Sequence, residues 1–541
     1  MRIFILLCMV EVLPISYDLN KLTIDQKIGQ LFAISIPLPS SQAMVKKLCN
    51  FINTHHIGSV LLDRKGTIKQ QIRIVNSIIK ECHIQPLLLE DLEYGLSMRL
   101  YDSVKFPLSL TCGAIQDDNL IYQMAQEIGR QCKLLGVDIN LAPVLDINYN
   151  ASNSLAERSY GKSEENVMRK GKMYITGMLS QGVYPCAKHF PGHGDSNIDP
   201  HLGFPTVDHT KRRLTIELFP FKHIANITPC IMPGHICVTA YDNRPKYCAT
   251  ISKPIIKDLL KKQLNFNGLI ISDALRMKAL AQSFDNETIV RESFNAGVDI
   301  LLCPPSIING IQTIKKGLAD GTISESEINE HVQKILTIKK TLGTFDKKEI
   351  DIEDCIKKIK LPTTYQIKKN LYEQAITLIK NQNNQLPLTD LENVAYIQIG
   401  GTFDSPFYQQ LQTHNTELIN NLLPASPAGY DINELIYQLE SINTVIVSLM
   451  CMNTVENQQF GISEVTRELI KQIKKLKKVI LVIFGTPYSL QYFEDIPTII
   501  MAYEDDPDAQ IAAAQIVTGK LTARGKLPVS VSEKFPEGLG L

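Results

Sequence analysis

The stretch Tyr184-Pro-Cys-Ala-Lys-His-Phe190 is a short apolar run that ends in two ionisable side chains, Lys188 and His189, and meets Pro191, Gly192 and Gly194 directly afterwards. Proline removes a backbone N–H and glycine permits positive φ, so the run must give way to a shaped loop rather than to a helix. It reads as a buried strand that delivers chemistry at its C-terminal end. Seven other runs share that character: Leu31 to Ile36, Ile57 to Asp63, Pro86 to Asp91, Val137 to Ile147, Pro229 to His235, Gly268 to Ala274 and Val298 to Cys303. Helix-like segments lie between them. One opens with the capping-box pattern Thr23-Ile-Asp-Gln26 and another spans Asn119 to Cys132.

Short apolar runs do not disclose strand order, and a doubly wound open sheet would also fit this alternation. The polar residues choose between the two. Asp63, Asp91, Asp146, Lys188, His189, His235 and Asp273 close several different runs. A (β/α)8 barrel builds its site from many strand ends in this way, whereas an open sheet gathers its ligand groups near one switch point. The expected fold is α/β, an N-terminal (β/α)8 TIM barrel followed by a smaller C-terminal α/β sandwich domain.

The charged stretch Lys347 to Lys360 and the following Leu361-Pro-Thr-Thr364 read as a linker, 347–364, between a barrel at 18–346 and a second domain at 365–541. In the second domain the apolar runs Val394 to Ile399, Thr444 to Met450, Val479 to Phe484 and Pro497 to Ala502 alternate with helical stretches such as Glu464 to Leu476 and Asp508 to Thr518. That pattern fits a parallel sheet covered by helices. Residues 1–17 are a possible signal or disordered start. Arg2 and the run Ile3 to Val10 suit a minimal signal peptide, but Glu11 cuts the run short and no small-x-small cleavage site follows. A first strand or a misplaced start is favoured, and with it the cytoplasm over export.

Composition excludes several classes. Apolar residues at 44% and charged residues at 21% of 541 rule out wholesale disorder. Lys plus Arg and Asp plus Glu both number 56, so there is no basic excess to suit nucleic acid. The 12 cysteines stand singly without a C-x-x-C pair, which suits buried reduced thiols better than a disulfide or zinc framework. No run approaches the roughly 18 apolar residues of a transmembrane span. The oligomeric state is left open.

The densest chemistry lies in Lys188 to His201, where three His, two Asp and a Lys share one predicted rim. Three readings compete. His189, His193 and Asp199 could ligate a metal, although Pro191 and two glycines interrupt the helical spacing that would align them. The histidines could instead satisfy backbone groups of a polar loop. In the third reading Asp199 fixes the imidazole tautomer of His201, which then passes a proton at neutral pH. A nucleophile would be Asp273, delivered by Leu269-Ile-Ile-Ser-Asp273 to another strand end, with helix capping as the rival role.

These motifs resemble the family 3 glycoside hydrolases, and within them the β-N-acetylglucosaminidases. The similarity rests on Lys188-His-Phe-Pro-Gly-His-Gly194, Asp199-Pro-His201, Asp91-Leu-Glu-Tyr-Gly-Leu-Ser-Met-Arg99, Asn140-Leu-Ala-Pro-Val-Leu-Asp146, Arg158-Ser-Tyr-Gly161, Met232-Pro-Gly-His235, Ser272-Asp-Ala-Leu-Arg-Met277 and Ala296-Gly-Val-Asp-Ile-Leu-Leu302. The resemblance implies a retaining mechanism with Asp273 as nucleophile and His201, paired with Asp199, as acid and base. It implies that Asp91, Arg158, Lys188 and His189 hydrogen-bond the terminal sugar, supported by His235 and Asp146. The implied substrate is an N-acetylglucosamine-containing oligosaccharide or muropeptide, with no metal and no organic cofactor. A family 3 phosphorylase and a non-catalytic saccharide-binding protein are the alternatives. Two features depart from the subfamily: Pro200 stands where serine is usual, and a second domain follows the barrel.

Overall fold

The computed structural model describes residues 19–37, 40–149, 151, 155–193, 203–427 and 432–541. The stretches 1–17 and 194–202 fall outside these, so the reading of the start and the pair Asp199 and His201, with Pro200 between them, lie outside the described residues.

Eight parallel strands form the first sheet: β1 (Phe32–Pro37), β2 (Ser59–Asp63), β3 (Leu87–Glu90), β4 (Ile139–Asn140), β5 (Tyr184–Phe190), β6 (Cys230–Pro233), β7 (Leu269–Ile270) and β8 (Leu301–Leu302). Their order in the sheet is β8-β1-β2-β3-β4-β5-β6-β7. The bridge between Ile271 and Ile300 closes the ring, reinforced by bonds from the Asp299 and Ile300 N–H groups to the Ile270 carbonyl at 2.8 and 3.1 Å. The fold is therefore the α/β barrel expected from the alternation. Each of the eight apolar runs supplies one strand, because Ile, Leu and Val buried on both faces suit a parallel sheet covered by helices.

The run 137–147 pairs regularly only over Ile139–Asn140. Beyond it Pro143 has no N–H to donate, yet the chain stays on the sheet through the Cys186 and Lys188 N–H groups, which reach the Ala142 and Pro143 carbonyls at 2.9 and 3.0 Å. The predicted capping box is present, with Thr23 and Gln26 exchanging bonds at the start of helix Ile24–Gln30. The helix expected from Asn119 runs over Asp118–Leu134, started by Asp117.

Residues 347–364, read as a linker, carry helix Ile352–Ile359 and the start of helix Pro362–Ala375. Pro362 at a first-turn position is compatible with that start, since the N–H it lacks would have had no intrahelical partner. The second sheet has six strands: β9 (Thr377–Asn381), β10 (Val394–Ile399), β11 (Ile419–Leu423), β12 (Thr444–Leu449), β13 (Lys478–Ile483) and β14 (Thr498–Met501). Their order is β9-β14-β13-β12-β10-β11, parallel except for β9 against β14. Helix Pro507–Val517 packs its alanines on the face that carries Tyr396 and Ile480. Helix Glu464–Leu476 covers the face of Ile397 and Val447. The two strands of this sheet that were not foreseen, β9 and β11, are its edges, and Lys380, Asn381, Asn420 and Asn421 hide them from an apolar pattern. Polar edge strands are how sheets avoid pairing with other chains.

No helix among the described residues is long and apolar enough to cross a membrane. The described cysteines are unpaired, and all but Cys451 are buried.

Candidate active site

The C-terminal ends of β3, β4, β5, β6 and β7 bring most of the predicted residues to one rim. Strand β5 makes the first contribution. Its register against β6 shifts between Lys188 and Phe190, so His189 is an extra residue. In a regular strand neighbours point to opposite faces, and a bulge can re-aim a side chain. Here Lys188 and His189 both engage rim carboxylates. The Lys188 ammonium bonds Asp91 Oδ1 at 2.8 Å and Glu93 Oε1 at 2.9 Å. The His189 imidazole meets Asp146 Oδ2 through Nδ1 at 2.7 Å.

Glu93 is the hub. Its carboxylate also accepts both arms of Arg158, Nε at 2.9 Å and Nη2 at 2.6 Å. Such a two-point fork fixes a guanidinium plane as a single bond cannot. Asp91 in turn accepts from Arg99 Nη2 at 2.9 Å. Three cations thus face two carboxylates, and burial is overcome by attraction. The Lys188 and Arg99 charges hold Asp91 below the ordinary carboxylate range against the upward push of burial. Arg158 and Lys188 do the same to Glu93. One residue further back, the fully buried Glu90 has only Gln71 as a side-chain donor, and burial pushes it up to about 8.

Asp146 anchors the loop after β5. Besides His189 Nδ1 it accepts the His193 N–H at 2.7 Å on Oδ1 and the His189 N–H at 3.2 Å. Because Asp146 is held ionised, burial notwithstanding, by His189 and His193, the proton sits on His189 Nδ1 and Nε2 is the second bonding atom. Both ring nitrogens of His193 are buried, with no hydrogen-bond partner among the described residues. Burial, only partly offset by Asp146, lowers its basicity, as expected of a neutral imidazole.

Asp273 follows β7. Its Oδ1 accepts the Ala274 N–H at 2.7 Å, and its own N–H reaches the Pro233 carbonyl at the end of β6. Burial would raise its pKa, but the positive potential of His235 and His189, the Ala274 N–H and Lys188 lower it on balance. A carboxylate kept ionised at the mouth of a barrel can act as a nucleophile. His235 is fixed beside it, Nδ1 on Thr250 Oγ1 at 2.8 Å and Nε2 donating to the Ala274 carbonyl at 3.0 Å.

Asp91, Arg158, Lys188, His189, His235 and Asp273 therefore share one end of the barrel. Glu93 and Arg99 were not among the predicted site residues, although the Asp91-to-Arg99 stretch contains both. The signal was available: a second carboxylate two residues after Asp91 falls on the same rim once the strand has ended.

Residues 23–338 match the Glycosyl hydrolase family 3 N terminal domain and residues 376–537 match the Glycosyl hydrolase family 3 C-terminal domain. The chain belongs to glycosyl hydrolase family 3, and it is a glycosidase. Among its relatives, "Beta-hexosaminidase A" of Pseudoalteromonas piscicida is 26% identical over 90% of this chain and 91% of its own. "Beta-hexosaminidase" of Haemophilus influenzae is 30% identical over 45% of this chain and 71% of its own. The solved family 3 beta-N-acetylglucosaminidase from Paenibacillus sp. str. FPU-7 superposes with a TM-score of 0.78 at 24% identity, covering 94% of this chain and 99% of that one. Beta-glucoside phosphorylase BglX, bound to 2FGlc, reaches 0.80 at 20% identity, covering 95% of each chain.

Proposed function

We propose that this glycosidase is an exo-acting, retaining β-N-acetylglucosaminidase that releases terminal N-acetylglucosamine from peptidoglycan fragments or chitin-like oligosaccharides. The observation that carries the reading is the ionised Asp273 at the end of β7, under the positive potential of His235, His189 and Lys188. Lys188 joins it to a ready-made cluster of charged donors and acceptors on Asp91, Glu93 and Arg158. Sugar hydroxyls both donate and accept, and such a mixed cluster serves both needs.

In the first step an Asp273 carboxylate oxygen bonds to the anomeric carbon while the glycosidic C–O bond breaks. The departing oxygen takes a proton from His201. In the second, His201 removes a proton from water, the water oxygen bonds to the anomeric carbon, and Asp273 leaves as carboxylate. Asp199 supports the imidazolium that gives up the first proton and is formed again by the second transfer. The β-hexosaminidase relatives and the Lys188-to-Gly194 and Asp199-Pro-His201 motifs support the substrate class and the His in place of a second carboxylate.

The test compares 4-nitrophenyl β-N-acetylglucosaminide with the β-glucoside, each with and without phosphate. Release from the acetylated sugar alone, indifferent to phosphate, is the expected result. Acceleration by phosphate would move the assignment to a phosphorylase. Binding of N-acetylglucosamine without any release would make the chain a saccharide-binding protein. Replacing His201 by Ala is expected to slow glycosides with poor leaving groups far more than nitrophenyl ones, since only the former need full protonation.

A further inference from the structure

Arg158 sits in a short segment, 155–162, held within itself by the Arg158 and Ser159 N–H groups on the Leu155 carbonyl and by the Gly161 N–H on Ser159 Oγ. Its one regular turn is the 3-10 helix Ala156–Arg158, without a side-chain cap. The barrel holds one side: Asn148 donates from Nδ2 to the Ala156 carbonyl at 2.9 Å, and Ser159 Oγ donates to the Asp146 carbonyl at 2.6 Å. The second domain holds the other. The Lys162 N–H reaches the Pro528 carbonyl at 2.9 Å. Gly161, at φ +131°, lies so close to that oxygen that an added Cβ would stand 2.3 Å from it. Ala156 and Leu110 form one apolar cluster with Phe460, Tyr488 and Val529, and Phe460 is fully buried there.

Glu504 completes the contact. Its carboxylate accepts from the Leu108 N–H at 2.8 Å, Thr111 Oγ1 at 2.7 Å and Lys105 Nζ at 2.6 Å. It also lines a small cavity with Glu157, the neighbour of Arg158, and with Leu110 and Thr111. Among the described residues no side chain of the second domain bonds Asp91, Lys188 or Asp273. Among the described residues, the segment 155–162 is where the domain meets the stretch that bears a site residue.

We propose that the C-terminal domain is a positioning element of the sugar clamp: Phe460 and Pro528 press the 155–162 segment onto the barrel, Glu504 ties down the adjoining 105–111 stretch beside it, and together they set the Arg158–Glu93 fork that receives the terminal sugar. The proposal rests on the reading of Arg158 as a sugar ligand. A fork of this kind tolerates little displacement, because both of its bonds must keep length and direction together. Loosening the segment therefore weakens sugar binding and leaves bond cleavage at Asp273 nearly untouched.

The test is a double-mutant cycle on the full chain with the nitrophenyl glycoside that the wild type cleaves. Phe460→Ala and Glu504→Gln, each combined with Arg158→Ala, are followed by steady-state kinetics and thermal unfolding. Phe407→Leu, buried in the second domain's own core, controls for general loosening. Each second-domain variant is expected to raise KM about tenfold with kcat held within about twofold, and to add nothing once Arg158 is gone. Phe407→Leu is expected to lower Tm with KM unchanged. Unchanged KM in folded Glu504→Gln and Phe460→Ala, or full additivity with Arg158→Ala, overturns the proposal. If Phe460→Ala fails to fold, Glu504→Gln carries the test alone. An Arg158→Ala enzyme with wild-type KM would instead remove Arg158 from the sugar site, a failure of the functional reading that is separate from the failure of the cycle.

Discussion

Both ends of the barrel bury charge, but they use it differently. At the C-terminal end, Asp91 and Glu93 are shared among Lys188, Arg158 and Arg99, while Asp91 and Asp273 remain partly exposed. At the N-terminal end Asp138 and Asp299 are closed off. Asp138 accepts the Leu88 N–H at 2.8 Å, Lys347 Nζ at 2.6 Å and Thr344 Oγ1 at 3.2 Å. Asp299 binds the Ile270 N–H at 2.8 Å and His331 at 2.6 Å. One end is a set of donors and acceptors with an open side, and the other is a knot. On the proposed function the same residue types serve sugar binding above and stability below, and partner count and exposure tell them apart. This agrees with the general division of labour between the two faces of such barrels.

The contrast can be broken most sharply at Asp273. Asp273→Ala is expected to cost on the order of 10⁴-fold or more in turnover, with a Tm close to wild type, measured by nitrophenol release and calorimetry. Near-normal kcat would take the nucleophile away from this residue. Glu93→Ala comes next. It strands Arg158 and leaves Lys188 with Asp91 alone, and kcat/KM should fall about 100-fold through loss of charge-assisted bonds worth about 2 to 3 kcal/mol.

At the other end, Asp138→Ala should cost about 3 kcal/mol of stability, because it leaves Lys347 buried without its partner. Its KM and kcat should stay at wild-type values. A kinetic defect of the Glu93 size there would erase the comparison.

A pH-dependent effect concerns Lys339, which donates to Gln30 Oε1 and the Gln85 carbonyl at 2.7 and 2.9 Å. Burial, with Lys347 nearby and only Asp138 and Cys82 opposing, lowers its pKa to about 7. The unfolded chain, with an ordinary lysine near 10.4, then binds more protons between about pH 7 and 10, so stability rises with pH across that window. Lys339→Met should flatten the rise in chemical denaturation measured from pH 7 to 10. An unchanged slope would show that Lys339 is charged in the folded state.

Much of this architecture was legible in the sequence. The eight apolar runs, the cap at Thr23 and the helices of the second sheet all follow from local pattern. The edge strands β9 and β11 escaped because polar residues such as Asn420 and Asn421 carry no alternation. The helices within 347–364 escaped because a charged stretch followed by Leu361-Pro362 reads equally well as a break. Glu93 escaped for another reason: its place on the rim could be read from its spacing to Asp91, but nothing in a single sequence reveals how many cations converge on one carboxylate.

The sequence by itself determined the class of fold, the order of its elements and which strand ends carry ionisable groups, since periodicity and strand-end chemistry are local properties. Only the tertiary structure decided which charges meet. The bulge at His189 turns Lys188 and His189 alike toward rim carboxylates, Glu93 gathers Lys188 and Arg158 from distant parts of the chain, and the second domain lies against the segment that bears Arg158. Burial and distance set the strength of each of these contacts, and neither exists until the chain has folded.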